Sequence, residues 1–132
     1  MTTQISPMLA VDNAKDAITF YERAFSATLL WHLDHAVAGL EINGARFFLA
    51  NQSPEYGTRG PSSAGFTTVR IELFVDDPVA VHAQAVAAGA VERDPVVEYN
   101  YTTAGPHPIG RMLQGSVVDP FGHRWLIGKF LE

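Results

Sequence analysis

The sequence predicts an α+β domain of two repeated strand–helix–three-strand modules, whose sheets curl around a cleft. Two internal repeats indicate this. Residues 9–14, Leu-Ala-Val-Asp-Asn-Ala, recur as Leu-Phe-Val-Asp-Asp-Pro at 73–78, an offset of 64. The turn Gly-Ala-Arg-Phe at 44–47 recurs as Gly-His-Arg-Trp at 122–125, an offset of 78. The second copy is therefore longer by 78 minus 64, or 14, residues.

The length of the chain limits it to one domain. At 132 residues with 47% hydrophobic content, it is large enough to bury one core and too short for two domains. We place the two modules at about 4–51 and 67–132. Residues 52–66 are rich in Pro, Gly and Ser, which is typical of a connecting loop.

In the first module, a buried strand is predicted at 5–11 and a helix after the N-cap residue Asn13. The helix has apolar residues at helical spacing: Ala14, Ala17, Ile18, Tyr21 and Phe25. Asn43-Gly44 is a strong hairpin signal. The strands that follow the helix are predicted at 28–33, 37–42 and 45–50.

The second module repeats this order. A strand at 68–75 leads to a helix that Asp77 caps, Pro78 starts and Gly89 ends. The loop at 104–110 contains too many Gly and Pro residues for regular structure. The remaining strands are predicted at 96–101, 113–118 and 124–128.

Composition excludes several functions. The net charge is −5 and there is no cluster of basic residues, which argues against nucleic acid as a partner. There is no cysteine, so disulfides and thiolate metal sites are excluded. No segment has the pattern of a signal peptide or is apolar over a membrane-spanning length. We therefore expect a cytoplasmic protein that does not interact with a membrane.

The motif Asp-Pro-Phe-Gly-His-Arg-Trp at 119–125, at the end of a duplicated module, resembles the vicinal oxygen chelate superfamily. That group contains glyoxalase I, bleomycin resistance proteins, fosfomycin resistance enzymes and extradiol dioxygenases. The segments at 6–12 and 20–25 are most similar to its PhnB-like branch. The resemblance implies a glyoxalase-like fold. Fold alone does not decide function, because this scaffold carries unrelated chemistries.

The resemblance also locates a metal site. Metal-dependent relatives hold a divalent ion between the sheets, with one ligand per strand at positions that correspond here to Ser6, Phe48, Arg70 and Leu126. Phe and Leu have no donor atom, and an arginine adds positive charge. We therefore expect no metal ligands and no cofactor.

Strand alternation places Arg70 and Glu72 on the cleft face of their strand. Arg124 and Leu126 join them from the last strand. Arginines facing an apolar cavity need a partner, so an ion pair of Glu72 with Arg70 or Arg124 is predicted. That pair is either a structural bridge or a catalytic and binding device. In the second case, arginine anchors a carboxylate or phosphonate and Glu72 acts as acid or base.

Other side chains complete the predicted ligand site. His107, in the long loop of the second module, is the histidine best placed to reach a ligand. The aromatic residues expected to line the cleft are Trp31, Phe48, Tyr99 and Tyr101. Such a lining suits a flat or greasy organic molecule with a charged group.

The leading functional hypothesis is a homodimeric, metal-free protein that binds a small organic molecule. One alternative is a lyase, isomerase or dioxygenase that holds Zn, Ni, Mn or Fe through substitute ligands such as Glu72, His32 or His107. Another is metal-free acid–base catalysis by Glu72, with Arg70 stabilising an oxyanion. A purely assembling domain is disfavoured by the polar residues of the cleft. The sequence leaves open whether the modules pair within one chain or between chains.

Overall fold

A computed structural model describes all 132 residues of the chain. The first module consists of β1 (Met8–Val11), α1 (Ala14–Phe25), β2 (Thr28–Leu33), β3 (Val37–Ile42) and β4 (Ala45–Asn51). A 3₁₀ turn (Pro54–Tyr56) and the short helix α2 (Pro61–Ala64) form the connection. The second module consists of β5 (Arg70–Phe74), α3 (Pro78–Ala88), β6 (Val91–Asn100), β7 (Arg111–Val118) and β8 (Arg124–Phe130). No helix is long and apolar enough to cross a membrane.

Each module forms its own four-stranded mixed sheet, in the orders β1-β4-β3-β2 and β5-β8-β7-β6. The two sheets pair their strands in the same way. Met8 lies opposite Phe48 in the first sheet, and Glu72 lies opposite Leu126 in the second. Met8 and Glu72 are related by the offset of 64 from the sequence, and Phe48 and Leu126 are related by the offset of 78. The α+β class and the two repeated modules are confirmed, and the repeat is aligned without a slip.

The largest difference from the predicted elements is at β6. This strand begins at Val91 instead of residue 96, and the pairing with β7 shifts register on both sides of Asp94. Pro95 and the charged residues before it are atypical of a strand, so the sequence did not predict this part of β6. Because β6 is an edge strand with an irregular register, a proline is tolerated there.

Both predicted helix caps are present. The side chain of Asn13 accepts a hydrogen bond from the backbone N–H of Asp16 at 3.0 Å, and that of Asp77 accepts from Ala80 at 3.1 Å. The N–H of Ala14 also donates to the Asn51 side chain, at 2.7 Å. These contacts satisfy N–H groups that have no partner within the helix, and they fix where each helix starts.

The two modules share one hydrophobic core. Helices α1 and α3 pack against each other, and each also packs on the sheet of its own module. The core cluster contains 22 buried residues drawn from both modules. Each sheet therefore turns one face towards this common core and leaves its other face outside it. Residues of both modules, among them Met8 and Ile71, line one groove together with the connecting segment.

The buried carboxylate of Asp119 ties the modules together. Its Oδ2 accepts hydrogen bonds from Tyr21 Oη at 2.5 Å and from Trp125 Nε1 at 2.9 Å. Its Oδ1 accepts from the backbone N–H groups of Phe121 and His123, each at 2.9 Å. Four donors compensate for burying this group, which is only 4% exposed. The same carboxylate thus shapes the turn before β8 and fastens α1 to it.

Two further contacts join the modules. His123 Nε2 lies 2.7 Å from the backbone oxygen of Ala10, and Gln84 Nε2 donates to the backbone oxygen of Arg23 at 2.8 Å. The contact of His123 links the turn before β8 to β1.

Tyr21→Phe removes the one hydrogen bond to Asp119 that comes from the first module. We expect it to lower the free energy of unfolding by about 1–2 kcal/mol, because Asp119 keeps three of its four donors. Burial, followed by the charge of Asp119, raises the pKa of Tyr21 well above its ordinary value of 10.0. The protonated Tyr21 side chain therefore contributes its full stabilisation below pH 10. This contribution decreases as pH rises towards the folded-state pKa, since the unfolded chain loses the phenolic proton first.

The measurement is urea unfolding of both proteins at pH 8 and at about pH 11. The wild type should lose more stability than Tyr21→Phe between the two pH values. Tyr56→Phe, which changes a tyrosine that is 86% exposed, serves as the control and should behave as the wild type. Parallel losses in the wild type and Tyr21→Phe would show that the phenol is not held in its protonated form by the fold.

Candidate functional site

The face of the second sheet that lies away from the core carries a cavity of about 200 Å³. It is lined by residues of all four strands and of the segment that follows β6, among them Arg70, Tyr99, Tyr101, Gln114, Arg124 and Leu126. Alternation along β5 and β8 places these groups on one face and the core residues Leu73, Trp125 and Ile127 on the other. Five predicted ligand residues of the second module therefore lie together: Arg70, Tyr99, Tyr101, Arg124 and Leu126.

Two arginines are direct neighbours in this cavity. Arg70 lies opposite Arg124 in the parallel pair β5–β8, where strands are about 4.8 Å apart. Neither guanidinium is part of a salt bridge. The Nε of Arg124 is buried and has no hydrogen-bond partner. The cavity thus holds two adjacent positive charges that no protein group neutralises by direct contact. We call it the arginine cavity.

The predicted ion pair of Glu72 with Arg70 or Arg124 is wrong. Glu72 instead accepts a hydrogen bond from Gln114 Nε2 at 3.1 Å. Glu72 is exposed, so its carboxylate can remain hydrated and does not need a cationic partner. The catalytic role predicted for Glu72 and Arg70 stays a prediction.

A second carboxylate, that of Asp94, also lines the cavity. Its Oδ2 accepts a hydrogen bond from Ser116 Oγ at 2.6 Å. Its backbone oxygen lies 3.1 Å from His82 Nε2. Asp94 is therefore held at the β6–β7 pair, and it makes no salt bridge with either arginine of the cavity.

Two tyrosines form an aromatic wall of the cavity. The rings of Tyr99 and Tyr101 are stacked, with centroids 5.8 Å apart and planes inclined by 14°. They are 36% and 41% exposed. Strand β6 positions this wall, since Tyr99 pairs with Met112 of β7. This wall offers flat apolar surface next to the arginines.

The outward face of the first sheet carries a row of aromatic and apolar side chains. Trp31, Gly39, Phe48 and Met8 lie in one row across its four strands. The indole of Trp31 covers Gly39, and a Cβ there would lie 2.5 Å from Trp31 Nε1. The rings of Trp31 and Phe48 are 5.8 Å apart. Glycine is needed at 39 because the indole lies flat on the strand. We call the group Met8, Trp31 and Phe48 the aromatic platform.

The remaining predicted site residues are elsewhere. Ser6 precedes β1 and lines a surface depression together with Glu41 and Arg46. His107 is exposed in the loop between β6 and β7 and does not line the arginine cavity. One chain therefore brings together Arg70, Arg124, Leu126, Tyr99 and Tyr101, while Trp31 and Phe48 lie on the other sheet.

Sequence reasoning missed three residues that shape these faces: Gly39, Asp94 and Gln114. Gln114 falls in the predicted strand 113–118 at a position that alternates with Leu113, a signal that was available. Asp94 lies in the part of β6 that the sequence did not predict. Gly39 gave no signal, because its role depends on the side chain of Trp31 across the hairpin.

The residues do not fit a divalent metal ion. The positions of Phe48 and Leu126 on the outward faces are those that the repeat predicted, and neither side chain has a donor atom. No group of three or more His, Cys, Asp or Glu side chains is close enough together to hold an ion. His32 and His35 stack, with centroids 4.0 Å apart, but no third ligand accompanies them.

The sequence of residues 4–127 matches the profile of the Glyoxalase/Bleomycin resistance protein/Dioxygenase superfamily. The chain belongs to this superfamily. A Mycobacterium bovis protein of uncharacterised function is 36% identical over 135 residues, covering 95% of this chain and 82% of that protein. An uncharacterised protein of Arabidopsis thaliana is 30% identical over 143 residues, covering 96% of this chain and 79% of its own.

A solved structure agrees with the fold. The crystal structure of an Arabidopsis thaliana gene product superimposes with a TM-score of 0.70 at 27% identity, covering 98% of this chain and all of that one. The predicted superfamily is therefore confirmed, together with its two-module architecture. The assignment to a PhnB-like branch stays a prediction.

Gly39→Ala tests whether the aromatic platform depends on the glycine. We expect the added methyl group to displace the indole of Trp31 and to lower the free energy of unfolding by about 1 kcal/mol, since an exposed indole can move aside. The tryptophan emission should shift to the red. The measurement is urea unfolding combined with fluorescence.

The matched control is the same substitution in a Trp31→Ala background, where the methyl group meets no indole. The cost of Gly39→Ala should vanish there, so the two sites form a double-mutant cycle. An equal cost in both backgrounds would mean that alanine disturbs the strand itself and not the platform.

Proposed function

We propose that this member of the superfamily is a metal-free protein that binds a small organic molecule on the outward face of its second sheet. The observation that carries the proposal is the cavity at Arg70 and Arg124, whose two cationic groups have no protein partner. The donor chemistry also supports it, because Phe48, Leu126 and Arg70 occupy metal-ligand positions of the superfamily without ligand atoms.

The proposal includes a homodimer that closes the site. The outward faces of the two sheets differ in chemistry, since one carries the aromatic platform and the other carries the arginines. If the first-sheet face of one copy covers the second-sheet face of another, a two-fold axis forms the same cleft twice. Met8 and Trp31, which are 54% and 46% exposed in one chain, would then be partly covered.

Metal content tests the metal-free part of this proposal. Protein purified without an affinity tag should contain substoichiometric Zn, Ni, Mn and Fe by elemental analysis. Addition of each ion should leave the melting temperature unchanged, because a bound ion would stabilise the folded state by mass action. One equivalent of metal that is lost in Glu72→Gln would instead favour the metal-dependent lyase or dioxygenase. The control is Glu55→Gln, which changes an exposed carboxylate in the connecting segment.

Light scattering during size-exclusion chromatography tests the dimer. We expect a mass of twice 14.4 kDa at micromolar concentration. Trp31→Ala should weaken the dimer at least tenfold, since buried aromatic residues contribute strongly to interfaces. Val79→Ala, which changes another exposed apolar side chain on α3, should not. A monomeric wild type at all concentrations would contradict the closed cleft.

A further inference from the structure

The lining of the arginine cavity places two like charges side by side. Arg70 and Arg124 are neighbours on adjacent strands, and like charges placed directly opposite destabilise a sheet. Arg124 adds a buried Nε without an acceptor, which costs further free energy. An anion with two acceptor atoms would relieve both costs at once, because guanidinium groups bind oxyanions through pairs of hydrogen bonds.

The internal repeat shows that the fold does not require this arginine pair. In the first module, the positions equivalent to Arg70 and Arg124 are Ser6 and Arg46, at the same offsets of 64 and 78. That module forms its parallel β1–β4 pair from Met8 to Val11, with serine instead of arginine at position 6. Parallel strand pairing in this fold therefore does not require the second arginine.

The nearby carboxylates do not take the place of such an anion. Glu72 is held by Gln114, and Asp94 is held by Ser116. Of the charged groups that line the cavity, Arg70 and Arg124 outnumber Asp94, so the formal charge is positive. The lining itself therefore carries two positive charges and one negative charge, in a chain whose net charge is −5.

The size and walls of the cavity define the rest of the ligand. A volume of about 200 Å³ is small for a ligand pocket, and it suits an anionic group attached to one ring. Tyr99 and Tyr101 present ring surface beside the arginines. A flat ring can pack on this surface while its anionic group reaches the guanidinium groups.

We propose that the cavity binds a small planar aromatic oxyanion, with Arg70 and Arg124 holding the carboxylate or phosphonate group and Tyr99 and Tyr101 packing against the ring. This inference rests on the proposed binding function and names the chemical class of its ligand. Both anionic groups share the chemistry that the arginines recognise, and the test distinguishes them.

The experiment is isothermal titration calorimetry of the full chain with four probes: benzoate, phenylphosphonate, benzamide and benzylamine. We expect at least one oxyanion to bind at least tenfold more tightly than neutral benzamide, and cationic benzylamine to bind more weakly still. The tighter of benzoate and phenylphosphonate identifies the anionic group. Its affinity should decrease as salt is added, because the attraction is electrostatic.

Arg70→Gln and Arg124→Gln should each weaken oxyanion binding at least tenfold and leave the affinity for benzamide unchanged. Arg23→Gln, which removes the same charge from the last turn of α1, is the matched control and should bind as the wild type. Because Arg70 is exposed, we expect Arg70→Gln to fold. It therefore tests the inference even if Arg124→Gln does not fold. Arg124→Lys should retain only part of the affinity, since lysine lacks the two-pronged geometry.

Three results would overturn the inference. These are binding of both oxyanions no tighter than that of benzamide, preferred binding of benzylamine, and oxyanion binding that survives both arginine substitutions. Absence of binding by all four probes would overturn it as well. Preferred binding of benzylamine or benzamide would leave the proposed binding function standing, whereas stoichiometric metal in the elemental analysis would remove that function itself.

Discussion

The buried carboxylate of Asp119 is the constraint on which the arrangement of the two modules depends. A carboxylate that is almost inaccessible to water needs donors on both oxygens, and its own turn supplies only part of them. Tyr21 of α1 supplies one of the remaining donors. Satisfying this carboxylate therefore brings the first helix onto the second module. It also positions Trp125, whose ring lies 5.6 Å from that of Phe47 in the first sheet.

This inward attachment decides which faces of the sheets remain free. The shared core uses one face of each sheet and leaves the opposite faces, with the aromatic platform and the two cavity arginines, outside it. The proposed dimer would bring these two faces together. The same constraint explains why Trp31 and Phe48 do not meet Arg70 and Arg124 in one chain, although the repeat relates Phe48 to Leu126.

Much of this could be predicted from the sequence because it depends on local or periodic signals. The offset of 78 placed Phe48 and Leu126 at equivalent positions of the two modules, and in the structure they pair with Met8 and Glu72, which the offset of 64 relates. The partners of exposed polar groups could not be predicted. Glu72 had three possible neighbours of similar reach, and strand alternation alone does not select Gln114 over an arginine. The role of Asp119 was also hidden, because its partner Tyr21 is distant in sequence.

Duplication of a module gives two faces that can diverge independently while the fold is preserved. The residues of the core are constrained in both copies, since Phe47 and Trp125 occupy equivalent positions and contact each other. The outward positions are not constrained by that packing. There, serine in the first copy corresponds to arginine in the second, and phenylalanine corresponds to leucine. Substitutions at these positions leave the sheets intact, because none of them packs in the shared core. A scaffold of this kind can therefore change the chemistry of its outward faces through a few substitutions, and Arg70, which stands where the first copy has Ser6, is one such difference.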